Sequence, residues 1–254
     1  MSFIPDAFLV HEGVCYAPSV SARANADTVG ETPVTRLIEG ICAQFPNQSR
    51  AILRERIFSK FPLTPACEGM IKVVAKRASV LPEIDYGDAF LKASVDGSRI
   101  EVSPAEPRVF DLPNAPASFI SETEIANFAL SLKPHSDKPV GCVLISLTGK
   151  VLAYAWNTNS ENRAQHAELN LIRSLQGKGL AKIPPHSTLW VTLKPCAMCA
   201  AQILAVAAEN LPTVKIIYLE DDPGPKAQNS VLMRGSDLWT KAGEPDIQLA
   251  HFQI

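Results

Sequence analysis

At 254 residues the chain is long for one ordinary core and sized for two domains of ~100–150 residues each. Hydrophobic residues make up 46% and charged residues 20%, the balance of a folded globular protein. The formal net charge of −2 excludes a global basic field that would gather nucleic acid.

From the start, "MSFIPDAFLVHEGV" lacks the basic n-region of a secretory leader, and no later run approaches the ~20 apolar residues of a membrane span. Without an export signal, the six cysteines (Cys15, Cys42, Cys67, Cys142, Cys196 and Cys199) are expected to be reduced thiols in a cytoplasmic protein. "AFLVHEGVCYA" reads as one or two strands. Three helix starts follow at Thr32-Pro33, Ser49 and Thr64-Pro65, marked by capping residues and by proline in the first turn. "AFLKASVDGSRIEVS" alternates around Asp96-Gly97, the strongest short-range hairpin signal in the chain. Residues 1–105 are therefore expected to form a small α+β domain. It holds no motif that points to chemistry; His11 and the basic helix residues Arg50, Arg54 and Arg56 read as ordinary surface groups. Prolines at 104, 107, 113 and 116 disfavour helix for themselves and their predecessors, so residues 106–118 read as an extended linker.

Residues 119–254 have a more regular order. "SETE" from Ser121 is a capping box, with Glu124 at N3, opening a helix to about Leu132. "PVGCVLIS" and "KVLAYAWN" are strands joined by a turn containing Gly149. A helix begins near His166, "STLWVTL" is a third strand, and Pro195-Cys196 opens a helix running to about Ala208. "VKIIYLE" is a fourth strand, a short helix spans roughly 229–240, and "DIQLAHFQI" is a fifth strand. Strands alternating with helices imply a sheet covered by helices.

Two stretches in this half carry chemistry: "HAELNLIRSL" from His166 and "LKPCAMCAAQI" around Cys196 and Cys199. Alone, Cys-x-x-Cys fits a redox pair, two buried thiols or a metal site. With His-x-Glu upstream and proline before the first cysteine, zinc is the better reading. A catalytic zinc takes three protein ligands and keeps one position open. Cys196 and Cys199 share one face of a helix start, where both the helix N-terminus and a metal favour thiolate, and His166 supplies a third donor. Glu168, two residues from the histidine, is left to move protons. His-x-Glu followed by Pro-Cys-x-x-Cys is the signature of zinc deaminases.

Residues from about 120 onwards resemble the cytidine and deoxycytidylate deaminase superfamily, and within it bacterial tRNA adenosine deaminases. The matching segments are "KPVGCVLIS", "AYAWN", "HAELNLIRSL", "TLWVTLKPCAMCAAQI" and "IIYLEDD". The resemblance implies a three-layer α/β/α sandwich with a mixed five-stranded sheet of order 2-1-3-4-5, strands four and five being parallel. It implies a zinc cofactor on His166, Cys196 and Cys199, and Glu168 as proton shuttle. It also implies substrate contacts for Asn157, which matches a residue that hydrogen-bonds the nucleoside, and more loosely for Asp222. Arg163 and His186 read as loop surface near the cleft. Members acting on tRNA usually continue past the fifth strand into helices, whereas this sequence ends at "AHFQI". Residues 115–254 carry 12 basic and 12 acidic residues, and Glu220, Asp221 and Asp222 stand consecutively near the expected cleft mouth. The expectation is therefore hydrolytic deamination of a small nucleobase, nucleoside or nucleotide. An RNA substrate is the alternative, and a non-catalytic zinc-stabilised partner subunit is a third reading that the presence of Glu168 disfavours. A homodimer is expected, since superfamily members commonly build their sites against a neighbouring subunit.

Overall fold

The computed structural model describes residues 4–19, 31–95, 98–132, 138–207, 214–228 and 239–242. Glu12 and Gly13 both take positive φ, 49° and 76°, so strands β1 (Ala7–His11) and β2 (Val14–Pro18) are joined by a tight hairpin of the primed type. Around this hairpin are α1 (Pro33–Gln44), α2 (Ser49–Ile52), β3 (Arg56–Ser59), α3 (Pro65–Val73), β4 (Arg77–Val80), α4 (Glu83–Val95) and β5 (Arg99–Val102). The helix starts follow their chemistry: the Thr32 and Thr64 side chains accept from the N–H groups of Thr35 and Cys67, with proline entering the first turn of both helices.

The sheet order in this unit is β4-β3-β1-β2-β5. Phe8, Cys15 and Ala17 face Tyr86 and Phe90 of α4, and Phe8 meets Phe58, Tyr86 and Phe90 at 5.0–5.4 Å between ring centroids. The Tyr86 hydroxyl, buried there, donates to the Pro5 carbonyl at 2.6 Å.

The expected hairpin around Asp96-Gly97 is not formed. Residues 89–95 belong to α4, and β5 pairs in parallel with β2 rather than with its predecessor in sequence. Tyr86 and Phe90 lie one helical turn apart, with Ala89 and Ala93 packed beside them, so the apolar spacing that matters there is 3.6 rather than 2. The sequence reading also passed over β3 and β4, which places Arg56 in a strand instead of a helix; Arg54 lies in a turn.

The second half contains α5 (Glu122–Ser131), β6 (Gly141–Ile145), β7 (Val151–Trp156), α6 (Ala167–Gly177), β8 (Thr188–Leu193), α7 (Ala197–Ala207), β9 (Lys215–Glu220) and β10 (Trp239–Lys241). Its sheet order is β10-β9-β8-β6-β7, with β8, β9 and β10 mutually parallel and β6 antiparallel to both neighbours. In order of appearance this is 2-1-3-4-5. Every residue of β6 is buried, as a central strand covered on both faces requires. Val143, Ile145 and Trp190 meet Ile125 and Ala129 of α5 on one face. Cys142 and Leu144 alternate to the other face, where α6 packs on β6 and β7 and α7 lies against α6. The result is a three-layer arrangement, and the whole chain is mixed α/β.

Ser121 caps α5 by accepting from the Glu124 N–H at 3.3 Å, but Glu124 reaches back to the N–H of Ile120, one residue beyond the expected box partner. The fifth strand lies at Trp239–Lys241, overlapping the end of the stretch expected as a short helix; the rest of that stretch and the strand expected at 246–254 lie outside the described residues. Residues 107–118 form no helix and only an isolated bridge at Ser118, and they turn at Pro113-Asn114, where the Ala115 N–H donates to the Leu112 carbonyl at 3.0 Å. Phe110 stacks edge-on against Trp156 at 4.7 Å, and the Leu112 N–H donates to the Tyr154 hydroxyl at 2.7 Å. By internal contacts the chain divides into Met1–Glu106 with Glu161–Ala164, and Pro107–Ser160 with Gln165–Ile254.

Gly141 opens β6 where the end of α5 closes on it. A Cβ there would sit 2.4 Å from the Ala129 carbonyl oxygen and 2.7 Å from the Leu132 Cβ. Gly141→Ala is expected to destabilise the fold by about 1–3 kcal/mol, because the opposing atoms are mostly backbone and cannot swing aside. Urea unfolding checks this; an unchanged midpoint would show that the end of α5 yields freely.

Candidate functional site

His166 is the N-cap residue of α6, in extended backbone conformation, and its N-cap position turns its ring out of the helix. Cys196 immediately precedes α7 and Cys199 lies in its first turn, one helical step away. Both helices start after strands or the loops that follow them, so two separate segments, the starts of α6 and α7, deliver three donors to one point. Cys196 Sγ lies 3.5 Å from Cys199 Sγ and 3.6 Å from His166 Nδ1, and Cys199 Sγ lies 3.5 Å from the same nitrogen. Among the described residues these three form a cluster able to hold a metal ion.

Hydrogen bonding from Cys199, followed by the histidine, holds the Cys196 thiol well below its ordinary range. Burial pushes Cys199 the other way. For His166, burial works against the charged form, but the hydrogen bond and charge of Cys196 outweigh it and raise the imidazole.

Glu168 is 3% exposed and lies in the same cavity. Burial, reinforced by the charge at Cys196, pushes its carboxyl up to about 7. A carboxyl in that range gives and takes protons near neutral pH.

Asn157 directly follows β7. Its N–H donates to the Val140 carbonyl at 2.9 Å and its amide nitrogen to the Lys138 carbonyl at 3.2 Å. The side-chain oxygen is buried without a hydrogen-bond partner although the residue lines the cavity. A buried orphan acceptor is costly, by about 1–3 kcal/mol, unless something satisfies it. Asn170 of α6 fixes this corner from behind, donating to the Trp156 carbonyl and the Thr158 hydroxyl, each at 2.9 Å.

Asp222 also lines the cavity. One of its oxygens accepts from the Gly224 N–H at 2.9 Å and the other faces Lys138 at 3.5 Å. Arg163 and His186 do not line the cavity. Arg163 falls in the first unit, where its charge tempers a Cys42 thiol that burial pushes up to about 11. The structure adds Lys138, Lys194, Lys226 and Asn159 to the cavity lining. Lys194 adjoins Pro195-Cys196 and Lys138 opens the matching segment "KPVGCVLIS", whereas Lys226 and Asn159 sit in loops with no motif.

Residues 131–239 match the family model described as Bd3614-like deaminase. Over these residues the chain is similar to that family. A tRNA-specific adenosine deaminase of Agrobacterium fabrum (strain C58 / ATCC 33970) is 38% identical over 78 residues, covering 30% of this chain and 50% of that protein. One from Haemophilus influenzae (strain ATCC 51907 / DSM 11121 / KW20 / Rd) is 31% identical over 93 residues, covering 33% and 51%. The chain thus spans about half the length of the curated relatives it matches. A solved structure from work on A-to-I editing by tRNA:A34 deaminases at the wobble position of transfer RNA shares 30% identity with a TM-score of 0.37, covering 45% of this chain and 88% of that one. The deaminase-like unit is the one that holds the cluster and its cavity. Among the described residues, no helix is long and apolar enough to cross a membrane.

Proposed function

We propose that the deaminase-like unit is a zinc-dependent hydrolase that replaces the exocyclic amine of a nucleobase with a carbonyl, acting on a small free base, nucleoside or nucleotide. The observation carrying this reading is the convergence of His166, Cys196 and Cys199 on one point, with His166, Cys196 and the buried Glu168 lining one cavity. Tetrahedral zinc, with Zn–S of about 2.3 Å and Zn–N of about 2.0–2.1 Å, sets its donors roughly 3.4–3.8 Å apart. The separations of 3.5–3.6 Å fit that spacing. Three protein donors leave one position open, the arrangement of catalytic rather than structural sites.

When bound, zinc supplies Lewis acidity that makes water a competent nucleophile at neutral pH. Glu168 accepts the proton from the attacking water and passes it to the ring nitrogen beside the reacting carbon. The water oxygen bonds to that carbon, its second proton travels through Glu168 to the amine, the C–N bond breaks and ammonia leaves. Asn157 orients the substrate by accepting a hydrogen bond at its otherwise unpartnered oxygen. Asn157→Ala is expected to raise KM about tenfold or more, with a smaller effect on kcat, because it removes a contact made before and during the reaction. An unchanged KM for every substrate turned over would remove Asn157 from the substrate site.

A second reading, deamination of a base within RNA, is favoured by the matched relatives, which are tRNA-specific adenosine deaminases. Ammonia release from free bases, nucleosides, nucleotides and tRNA separates the two. Turnover of at least one small substrate supports the first reading. Inosine formation in tRNA, with no small substrate turned over, replaces it with the second.

A further inference from the structure

The cavity beside the cluster has a volume of about 230 Å³, and Lys138, Lys194 and Lys226 line it. They come from three separate places: the segment before β6, the join between β8 and α7, and the turn after β9. Deamination as derived above needs none of them, and a nucleobase with its sugar carries no negative charge for three ammonium groups to meet.

Asp221 and Asp222 follow β9, and as a pair of consecutive acids they would repel an anion if nothing balanced them. In the fold they are engaged. Asp221 pairs with Lys241 at 3.0 Å and with Lys194 at 3.9 Å, and it is not part of the cavity lining. Asp222 gives one oxygen to the Gly224 N–H, and its other oxygen meets Lys138 only at 3.5 Å, on a lysine side chain that is 56% exposed. Exposed pairs of this kind contribute about 0–1 kcal/mol, so an incoming anion competes readily for Lys138. Among the described residues lining the cavity, and leaving Glu168 aside, the lysines outnumber the acid Asp222. Lysine is a compact point charge suited to phosphate oxygens without the bidentate geometry of arginine. A cavity of this size lies below the ~300–1,000 Å³ of typical ligand pockets, so it suits a single base and sugar, with the phosphate held at the lysine-bearing rim.

We propose that Lys138, Lys194 and Lys226 recognise a phosphate attached to the substrate nucleoside, so that the substrate is a phosphorylated nucleoside, either a free mononucleotide or a nucleotide within a strand. The proposal rests on the deaminase reading for what fills the cavity, and its test does not depend on turnover. Binding to the full-length zinc-loaded Glu168→Ala chain would be measured by titration calorimetry with adenosine, cytidine and guanosine, with their 5′- and 3′-monophosphates, and with a short single-stranded RNA. The best monophosphate is expected to bind about tenfold tighter than its nucleoside, an advantage that shrinks as salt rises. That advantage should disappear in Lys138→Ala/Lys226→Ala and survive in Lys150→Ala, an exposed lysine outside the cavity lining. Lys138→Arg/Lys226→Arg should keep most of it, separating charge from fold. A mononucleotide binding as tightly as the RNA identifies the free nucleotide as the source of the phosphate; a further gain with RNA identifies the strand. Equal affinity for nucleosides, monophosphates and RNA overturns the proposal, as does an advantage that persists in the double alanine variant. Absence of ammonia from every substrate with the unaltered chain would instead sink the deaminase reading, leaving the binding result to decide the lysine rim by itself.

Discussion

Glu168→Ala is expected to lower the rate of ammonia release by about 10³-fold or more, with metal content and fold unchanged. General acid–base catalysis by one positioned side chain contributes about 10²–10⁴-fold, and in the proposed reaction one carboxylate would serve both the attacking water and the leaving amine. Its position explains why no other group substitutes. Glu168 is buried in the cavity, whereas Asp222, the other carboxylate lining it, is tied to Gly224 and Lys138. Because Glu168 lies outside the donor cluster, removing its carboxyl should not release the ion. Glu168→Gln is the more stringent version, since it preserves volume and hydrogen-bonding reach but cannot shuttle a proton. Kinetics beside elemental analysis of the same preparations check both halves. A loss of less than tenfold makes Glu168 a bystander; loss of metal along with activity makes it part of the metal site.

Cys196→Ser and Cys199→Ser are expected to abolish activity by a different route, loss of the ion. A serine hydroxyl does not ionise in the neutral range, and softer thiolate donors are what suit zinc. In the structure the Cys196 thiol is held well below its ordinary range, so it is poised as the anionic donor. Cys196→Ser should therefore lose most of the metal, and the double serine variant should retain none at stoichiometric level. A strong chelator applied to the unaltered chain should reproduce the effect, with recovery when zinc is returned. Stoichiometric metal in the double variant would place the ion elsewhere.

Much of the second half was legible because its information is local. Pro195-Cys196 and His166 sit at helix starts, where backbone geometry fixes the direction in which a side chain leaves, so short motifs were enough to foresee which donors converge. The apolar strands between them left little freedom in the sheet.

The first half was harder to read for identifiable reasons. The segment 89–102 alternates in side-chain type around Asp96-Gly97, a pattern that favours a hairpin when read alone. Tyr86 and Phe90, packing on Phe8 some eighty residues away, decide for a helix through Val95 instead. β3 and β4 are only four residues each and pair in parallel, so neither shows the alternation or the turn that marks a strand in sequence. The same holds for charge. "EDD" reads as repulsive until Lys138, Lys194 and Lys241 are brought to it by folding, the first of them from 84 residues away. The fifth strand shows a third form of the problem, since Trp239–Lys241 is too short for periodicity to distinguish strand from helix.

The most direct measurement is the origin of the oxygen in the product. The zinc-replete chain would be incubated with the best substrate of the panel in oxygen-18 water, and the recovered base analysed by mass spectrometry. Hydrolytic deamination predicts one labelled oxygen at the carbon that carried the amine, one ammonia released for each product formed, and neither with Glu168→Ala. A zinc-replete chain that leaves every base in the panel with its amine intact, or a product without the solvent oxygen, would contradict the account.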